Sequence, residues 1–162
     1  MPFMDVVFLE DGRVLRPCGD DDLVGVSQMV LAEAGRSIAG DFNDMGWSDF
    51  EEYLSTGQLL KRLVTGSKAL IIQEEDDEIS GYLEISGNQV LLLFIAEKAQ
   101  RLGLASKLLN RMRDTLDLNE LYVNSSTAGY EFYRNQQFEP IKDWKQKAGV
   151  KYRELKWQKQ QK

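Results

Sequence analysis

A short turn of small and polar residues in the middle of the chain could bind a phosphate group. The turn follows an apolar segment and reads Gln100-Arg101-Leu102-Gly103-Leu104-Ala105. Where such a turn leads into a helix, free backbone N–H groups lie at the positive end of the helix dipole and can hold an anion. Gly103 and Ala105 keep the turn small enough for a pyrophosphate to reach the backbone. Arg101 and Lys107 add positive charge beside it.

The chain has no histidine, and this excludes several kinds of active site. Ser–His and Cys–His nucleophiles, histidine-ligated metals and histidine general bases are all ruled out. The one cysteine, Cys18, has no neighbour in sequence that would activate its thiol, so we interpret it as a structural residue. The acidic run from Glu74 to Glu78 lacks the spacing of a metal-binding loop. We therefore expect a solvated hairpin there and no metal site.

Length and composition fit a single globular domain. We expect residues 1–162 to form one domain, with a frayed tail from Gln158 to Lys162. The net charge of −6 argues against an extended nucleic-acid surface and favours cationic partners such as amines or basic peptides. No apolar run is long enough to span a membrane, and the N-terminus lacks a leader pattern. A single cysteine fits a reducing, cytoplasmic location.

An apolar strand and an amphipathic helix must hold the phosphate-binding turn in place. Val90 to Ala96 is a continuous apolar run, which is typical of a strand covered on both faces. After the turn, we expect Ser106 to open a helix whose apolar positions repeat at the spacing of one buried face. The other predicted elements are a hairpin at 6–16, helices at 23–34, 48–54 (capped by Ser48) and 58–64, strands at 68–73, 79–85 and 120–124, a helix at 128–135 and a final strand at 150–157.

The Gln100-x-x-Gly103-x-Ala105 pattern resembles the signature Q/R-x-x-G-x-G/A of the GCN5-related N-acetyltransferase (GNAT) family. Asn124-x-x-x-Ala128-x-x-x-Phe132-Tyr133-x-x-x-x-Phe138 is similar to the family's second motif, in which Asn ends a strand and Tyr lies on the next helix. Typical members end this motif with Gly-Phe, whereas this chain has Gln137-Phe138. The resemblance implies a mixed α/β (α+β) fold with a mostly antiparallel sheet of six or seven strands and about four flanking helices. Its central strand pair would be parallel, because a strand–helix–strand unit requires it.

The resemblance also implies acetyl-CoA as co-substrate, bound in a slot between the Leu92–Ala96 and Tyr122–Asn124 strands. Backbone groups of Phe94 to Ala96 would pair with the pantetheine arm, and amides from Arg101 to Ser106 would hold the pyrophosphate. Asn124 would orient the amide-rich arm or an ordered water. The implied cofactor-binding residues are Phe94, Ile95, Ala96, Gln100, Arg101, Leu102, Gly103, Leu104, Ala105, Ser106, Asn124 and Tyr133.

Acetyl transfer by this family's chemistry also requires groups that donate and accept protons. A phenol with a pKa of about 10 can donate to a thiolate whose conjugate acid has a pKa of about 8.5, so Tyr133 is the candidate general acid. Glu84 and Glu97 are candidate bases for the acceptor amine. Glu84 lies on the neighbouring strand and could face the acceptor cavity, and Glu97 lies at the strand's end near the cofactor. Either could equally be a solvated surface carboxylate, and a relay of waters is the third alternative.

The leading hypothesis is an acetyl-CoA-dependent N-acetyltransferase in which a primary amine attacks directly in a ternary complex. The alternative is a non-catalytic acyl-CoA-binding or sensing domain that keeps the cofactor slot. Tyr133 favours catalysis, whereas a closed or absent acceptor pocket would favour sensing. A dinucleotide-binding Rossmann domain is disfavoured, because its fingerprint needs three glycines after the first strand.

The acceptor is expected to be a small-molecule amine or a peptide amine, and the sequence carries no signature that separates them. Five residues early in the chain could line an acceptor pocket or could simply pack two short helices together. They are Phe42, Met45, Trp47, Phe50 and Tyr53. Homodimers are frequent in the resembled family, so a homodimer remains an open alternative.

Overall fold

A computed structural model describes residues 3–160. The chain runs through two strands, three α-helices and three strands, then a helix, a strand and a helix, and it ends in three strands. The helices are α1 (Leu23–Ser37), α2 (Asp44–Tyr53), α3 (Thr56–Thr65), α4 (Leu104–Thr115) and α5 (Tyr130–Asn135). The strands are β1 (Val7–Phe8), β2 (Val14–Pro17), β3 (Lys68–Gln73), β4 (Ile79–Ser86), β5 (Gln89–Ile95), β6 (Glu120–Ser125), β7 (Glu139–Pro140), β8 (Lys145–Lys147) and β9 (Val150–Gln158). No helix in the described part of the chain is long and apolar enough to cross a membrane.

The strands form a mixed, mostly antiparallel sheet in the order β1-β2-β3-β4-β5-β6-β9-β7, with β8 paired to β9. Only β5 and β6 pair in parallel within the described residues, because α4 carries the chain back across the sheet between them. The predicted fold class and the parallel central pair are therefore confirmed. The described strands number nine rather than six or seven. β1 belongs to the predicted hairpin at 6–16, whereas β7 and β8 have only two and three residues, too few to show a periodicity.

The hydrophobic core lies on both faces of the sheet. On one face, α4 packs Leu108, Leu109 and Met112 against the centre of the sheet, and all three side chains are fully buried. On the other face, α1 and α3 cover Ile71 and Tyr82, which are also fully buried. The central strands are thus apolar on both faces, as their uninterrupted apolar runs predict.

Three helices begin earlier than the sequence pattern predicts. Helix α3 begins at Thr56 rather than at residue 58, because Ser55 caps it. The side chain of Asn43 accepts a hydrogen bond from the Gly46 amide at 2.8 Å, so α2 begins at Asp44 rather than at the predicted cap Ser48. Helix α4 begins at Leu104 rather than at Ser106, because Gly103 takes a left-handed conformation and is already the N-cap residue. The Asn43 cap satisfies a backbone amide that a helix end would otherwise leave free, whereas Gly103 has no side chain and leaves the first amides of α4 without a side-chain cap.

The final strand extends further than expected. β9 runs to Gln158, and the amide of Lys159 donates to the carbonyl of Asn119 at 2.7 Å. The predicted frayed tail therefore does not begin at Gln158. The last two residues of that predicted tail, 161 and 162, lie outside the described residues.

Candidate active site

The two parallel strands separate immediately after they pair. β5 and β6 are in register only at Gln89 with Tyr122 and at Val90 with Val123. Beyond Val90, β5 continues for five residues beside β4 alone. The space left between the diverging strands opens into a cleft of about 1030 Å³, which confirms that the slot expected between these strands exists.

This cleft is continuous from the phosphate-binding turn to the last hairpin of the sheet. Its floor is β5, and its walls come from the α1–α2 region, the turn before α4, the β6–α5 connection and the β8–β9 hairpin. Of the early aromatic residues, Phe42, Phe50 and Tyr53 line it. Trp47 supports them from behind, with its ring 5.5 Å from Phe42 and 5.7 Å from Phe50, whereas Met45 is 72% exposed. The aromatic cluster is therefore both a packing unit and a wall of the cleft.

The turn before α4 presents a run of free backbone amides. Arg101 and Gly103 both have positive φ values, +67° and +76°, and the first intrahelical bond runs from the Lys107 amide to the Gly103 carbonyl at 3.1 Å. Within residues 3–160, the N–H groups from Arg101 to Ser106 have no backbone or side-chain acceptor. A Cβ atom on Gly103 would meet nothing within 4 Å, so the space above it is open. Consecutive free amides at a helix N-terminus form an anion-binding site.

The side chain of Gln100 braces this turn and does not extend into the cleft as a free donor. Its amide nitrogen donates to Glu33 at 2.6 Å and to the carbonyl of Ile95 at 2.9 Å, and its oxygen accepts from Arg36 at 3.2 Å. Glu33 is only 7% exposed and also accepts from Arg36 at 2.6 Å. This buried carboxylate was not predicted, although the sequence carries a signal for it: Glu33 falls on the apolar face of α1, seven residues after Val26.

The backbone of β5 is only partly available to a ligand. The amide of Ala96 donates to the carbonyl of Ser80 at 2.8 Å, so Ala96 belongs to the β4–β5 ladder. Because backbone groups alternate in direction along a strand, those of Leu93 and Ile95 point toward the gap. The Ile95 carbonyl is taken by Gln100. The backbone of Phe94, two residues before Ala96, faces β4 in the same way. The expectation that the backbone from Phe94 to Ala96 pairs with pantetheine is thus wrong for Phe94 and Ala96, and Leu93 was missed.

Tyr133 lies on α5 with its ring in the core and one edge in the cleft wall. It is 7% exposed, and its ring makes edge-to-face contacts with Phe132 at 5.2 Å and Phe138 at 5.3 Å. Both Tyr133 and Phe132 line the cleft. Burial raises the pKa of the Tyr133 hydroxyl above its ordinary value, so the phenol stays protonated at neutral pH.

The opposite end of the cleft is tied together across the sheet. Asp41 is 8% exposed, and its two oxygens accept from the Thr127 amide at 2.9 Å and the Thr127 hydroxyl at 2.8 Å. These bonds join the α1–α2 connection to the segment after β6. Asn124, near the end of β6, is exposed and lines the cleft close to this bridge. No sequence signal pairs Asp41 with Thr127, because the two residues lie 86 positions apart.

Comparison with known proteins shows the family to which this chain belongs. A family model described as "Acetyltransferase (GNAT) domain" matches residues 38–159. The chain belongs to the GNAT family. A comparison with curated proteins finds no match. Members of the family use acetyl-CoA, and several similar solved structures are described as GNAT or GCN5-related acetyltransferases.

Three solved GNAT-type structures illustrate the similarity. A GCN5-related N-acetyltransferase from Rhodopseudomonas palustris is 14% identical with a TM-score of 0.75, over 96% of this chain and 98% of that one. A PaiA N-acetyltransferase from Thermoplasma acidophilum, solved with coenzyme A, is 16% identical with a TM-score of 0.72, over 96% and 100%. A spermidine/spermine N-acetyltransferase from Vibrio cholerae is 15% identical with a TM-score of 0.62, over 92% and 95%. At these identities the likeness shows the fold.

The GNAT fold does not place Glu84 where a base is needed. Glu84 is fully buried in β4, is absent from the cleft wall, and accepts from Arg62 at 2.7 and 3.2 Å and from the Tyr82 hydroxyl at 2.8 Å. The expectation that Glu84 faces the acceptor cavity is therefore wrong. Its position in a strand buried on both faces required a partner, and Arg62 provides it.

Glu97 is a surface carboxylate beside the GNAT cleft. Its side chain is 67% exposed and pairs with Arg36 at 2.8 Å, outside the cleft wall. Three other carboxylates line the cleft, namely Glu33, Asp41 and Asp49. The first two are hydrogen-bonded as described above, whereas Asp49 on α2 is exposed and has no hydrogen-bond partner within the described residues. Asp49 was not among the residues predicted from the sequence.

Proposed function

We propose that this GNAT protein is an N-acetyltransferase that moves the acetyl group of acetyl-CoA to a primary amine by direct attack in a ternary complex. The observation that carries the proposal is the continuity of the cleft. One open space joins the free amides from Arg101 to Ser106 to the wall formed by α2 and the β8–β9 hairpin. Co-substrate and acceptor can therefore occupy it together and meet between β5 and β6.

The residues present fit acetyl-CoA. The free amides before α4 and the positive charge of Arg101 suit a pyrophosphate, and the backbone of Leu93 and Ile95 offers a strand edge to an extended arm. When bound, acetyl-CoA supplies an activated thioester carbon. Gln100 and Glu33 contribute to acetyl-CoA binding indirectly, because they hold the phosphate-binding turn against the end of β5.

Tyr133 is the proposed proton donor at the leaving sulfur. Its hydroxyl stays protonated because burial raises its pKa, and this is the form that donates. The same shift makes complete proton transfer to a thiolate less favourable than the ordinary phenol pKa suggests. We therefore assign Tyr133 the role of donating a hydrogen bond, with the proton following as the thiol forms.

Water is the proposed acceptor of the amine's proton, since neither predicted carboxylate faces the cleft. Asp49 can attract an ammonium group to the cleft before it loses its proton. A covalent acyl-enzyme has no support. Cys18 lies outside the cleft wall, and burial raises the pKa of its thiol to about 12.

Calorimetric titration of acetyl-CoA tests the proposal, with Gly103→Glu, Tyr133→Phe and Gly87→Glu as variants. Gly87 is the matched control, because it also has a positive φ (+60°) and open space around its missing Cβ, but it lies in the β4–β5 turn away from the cleft. We expect wild type, Tyr133→Phe and Gly87→Glu to bind in the micromolar range and Gly103→Glu not to bind. Tyr133→Phe should then lose turnover with an accepted amine.

Two results would count against this function. If the wild-type protein does not bind acetyl-CoA, the enzyme proposal fails. If it binds acetyl-CoA but acetylates none of a panel of amines, amino acids and peptides, the alternative of a non-catalytic acyl-CoA-binding or sensing domain takes its place. The open acceptor side of the cleft is the observation that favours catalysis over sensing.

A further inference from the structure

The charge of this protein is segregated along the chain. Residues 142–159, which contain the β8–β9 hairpin, hold seven Lys or Arg and two Asp or Glu, for a net charge of +5. The rest of the chain therefore carries −11, since the total is −6. A basic segment on an acidic protein attracts anionic groups more strongly than the rest of the surface does.

This hairpin is fixed rigidly against the acceptor side of the cleft. Its tight turn has positive φ at Ala148 (+53°) and Gly149 (+79°), and the Gly149 carbonyl accepts from the Asn43 amide at 2.9 Å. The approach to α2 is so close that a Cβ on Gly46 would lie 2.3 Å from the Gly149 oxygen. The backbone of the hairpin is thus part of the cleft wall and not a loose flap.

Two lysines of β8 follow one face of the hairpin outward from the cleft. Lys147 lines the cleft, and Lys145 lies two residues further out on the same face, about 7 Å away. Both side chains are exposed, and neither has a carboxylate within 4 Å among the described residues. Lys151, on the other face, also lines the cleft and lies over the ring of Trp144 at 5.5 Å. The lysines are therefore available to an outside anion.

The same cleft also carries the opposite charge. Asp49 on α2, which has no hydrogen-bond partner among the described residues, lines the cleft together with Lys147 on β8. An acceptor suited to both charges has an ammonium group at one end and negative charge elsewhere along its length. A polyamine suits Asp49 but is repelled by the lysines.

We propose that the acceptor is the N-terminus of an acidic polypeptide, whose α-amine enters the cleft while its carboxylates contact Lys147 and Lys145. This inference rests on the proposed function. A free amino acid can place a carboxylate near Lys147 only, whereas a chain rising about 3.3 Å per residue reaches Lys145 two residues later. An α-amine, with a pKa of about 8, is also partly neutral at neutral pH, so it suits a cleft in which water takes the proton.

Steady-state acetylation of matched substrates tests the proposal. The substrates are three hexapeptides with one common N-terminal residue followed by acidic, neutral or basic residues, together with that free amino acid and spermidine. The acidic peptide should have the lowest KM, about threefold to fivefold below the neutral peptide for each carboxylate paired with a lysine. The difference should shrink as salt is raised, because the contacts are exposed.

Charge reversal locates the effect on the hairpin. Lys147→Glu should raise the KM for the acidic peptide at least about fivefold and leave the neutral peptide nearly unchanged, and Lys147→Arg should preserve the preference. Lys61→Glu is the matched control, because Lys61 is an exposed lysine on α3 outside the cleft and its replacement changes the net charge equally. Acetyl-CoA affinity should be the same in all three variants.

Each other outcome overturns the proposal in a distinguishable way. Acetylation of neutral and acidic peptides with equal KM, or a preference for spermidine or for the free amino acid, would refute the acidic-polypeptide acceptor while the N-acetyltransferase function stands. Inhibition by an RNA oligonucleotide, relieved by Lys147→Glu and not matched by acidic peptides, would make the hairpin a nucleic-acid surface instead. Binding of acetyl-CoA without acetylation of any amine would refute the proposed function itself.

Discussion

Replacing either member of the Arg62–Glu84 ion pair tests whether Glu84 is a structural carboxylate. Arg62 on α3 reaches the sheet from outside, donates to the Tyr53 carbonyl at 2.8 Å and stacks on the Tyr53 ring at 3.7 Å. Its guanidinium pairs with Glu84 at 2.7 Å, where the side-chain exposures are 16% and 0%. Arg62→Met and Glu84→Gln keep the side-chain length and remove one charge each.

The burial of the Arg62–Glu84 pair determines how strongly each substitution destabilises the protein. Removing one partner of a buried ion pair leaves an uncompensated charge and destabilises a protein by about 3–5 kcal/mol. Total stabilities of domains are about 5–15 kcal/mol, so either variant should lose a large part of its free energy of unfolding. At about 2–4 °C per kcal/mol for a chain of this size, Tm should fall by about 6 to 20 °C.

Thermal and urea unfolding of both single variants and of the double variant measure this effect. The double variant has no buried charge left at this site, and the Tyr82 hydroxyl can still donate to the side-chain amide oxygen that Glu84→Gln introduces. The double variant should therefore lose much less free energy of unfolding than the two single variants lose together. The coupling energy between the two substitutions should be about 2 kcal/mol or more. Single losses below about 1 kcal/mol, with no coupling, would mean that the pair behaves like a solvent-screened surface pair and would refute the reasoning.

Two further predictions concern the packing of the hairpin and the state of the cysteine. Gly46→Ala should push the hairpin away from α2, because the Cβ of the alanine would lie 2.3 Å from the Gly149 carbonyl oxygen. The KM for the acceptor should therefore rise at least about threefold in steady-state assays. Calorimetry should show unchanged acetyl-CoA binding. The Cys18 thiol, whose pKa burial raises to about 12, should be alkylated slowly at pH 8 and faster as the pH rises toward 12, since only the thiolate reacts. Labelling as fast as that of the urea-unfolded protein at pH 8 would contradict this assignment.

The features that could be predicted from the sequence are those decided by neighbouring residues. The strand–turn–helix around Gly103 follows from an apolar run, a small residue and a helical period within about twenty positions. The predicted start of α4 was two residues too late. Placing the first helical hydrogen bond correctly requires knowing that Gly103 is left-handed, and the sequence does not show this. The splayed slot followed only from the family resemblance, because strand divergence leaves no local sequence pattern.

The errors concern residues whose roles depend on distant partners. Glu84 was interpreted as facing a cavity, yet β4 is buried on both faces over six consecutive residues, and a carboxylate there must be paired. Sequence could have suggested the pairing but not Arg62, which lies 22 positions away on another element. Glu33 and Gln100 are separated by 67 positions, and only the fold brings them together at the end of β5.

The net charge of the whole chain says little about which amine the cleft accepts. The total of −6 favours cationic partners in general, but a total is insensitive to where charges lie. Exposed charges are screened beyond about 8 Å at physiological ionic strength, so an acceptor at the cleft responds to the groups within that distance. Those groups include Lys147 and Lys151, which line the cleft, and Lys145 just outside it. These lysines are therefore a better guide to the acceptor than the charge of the whole chain.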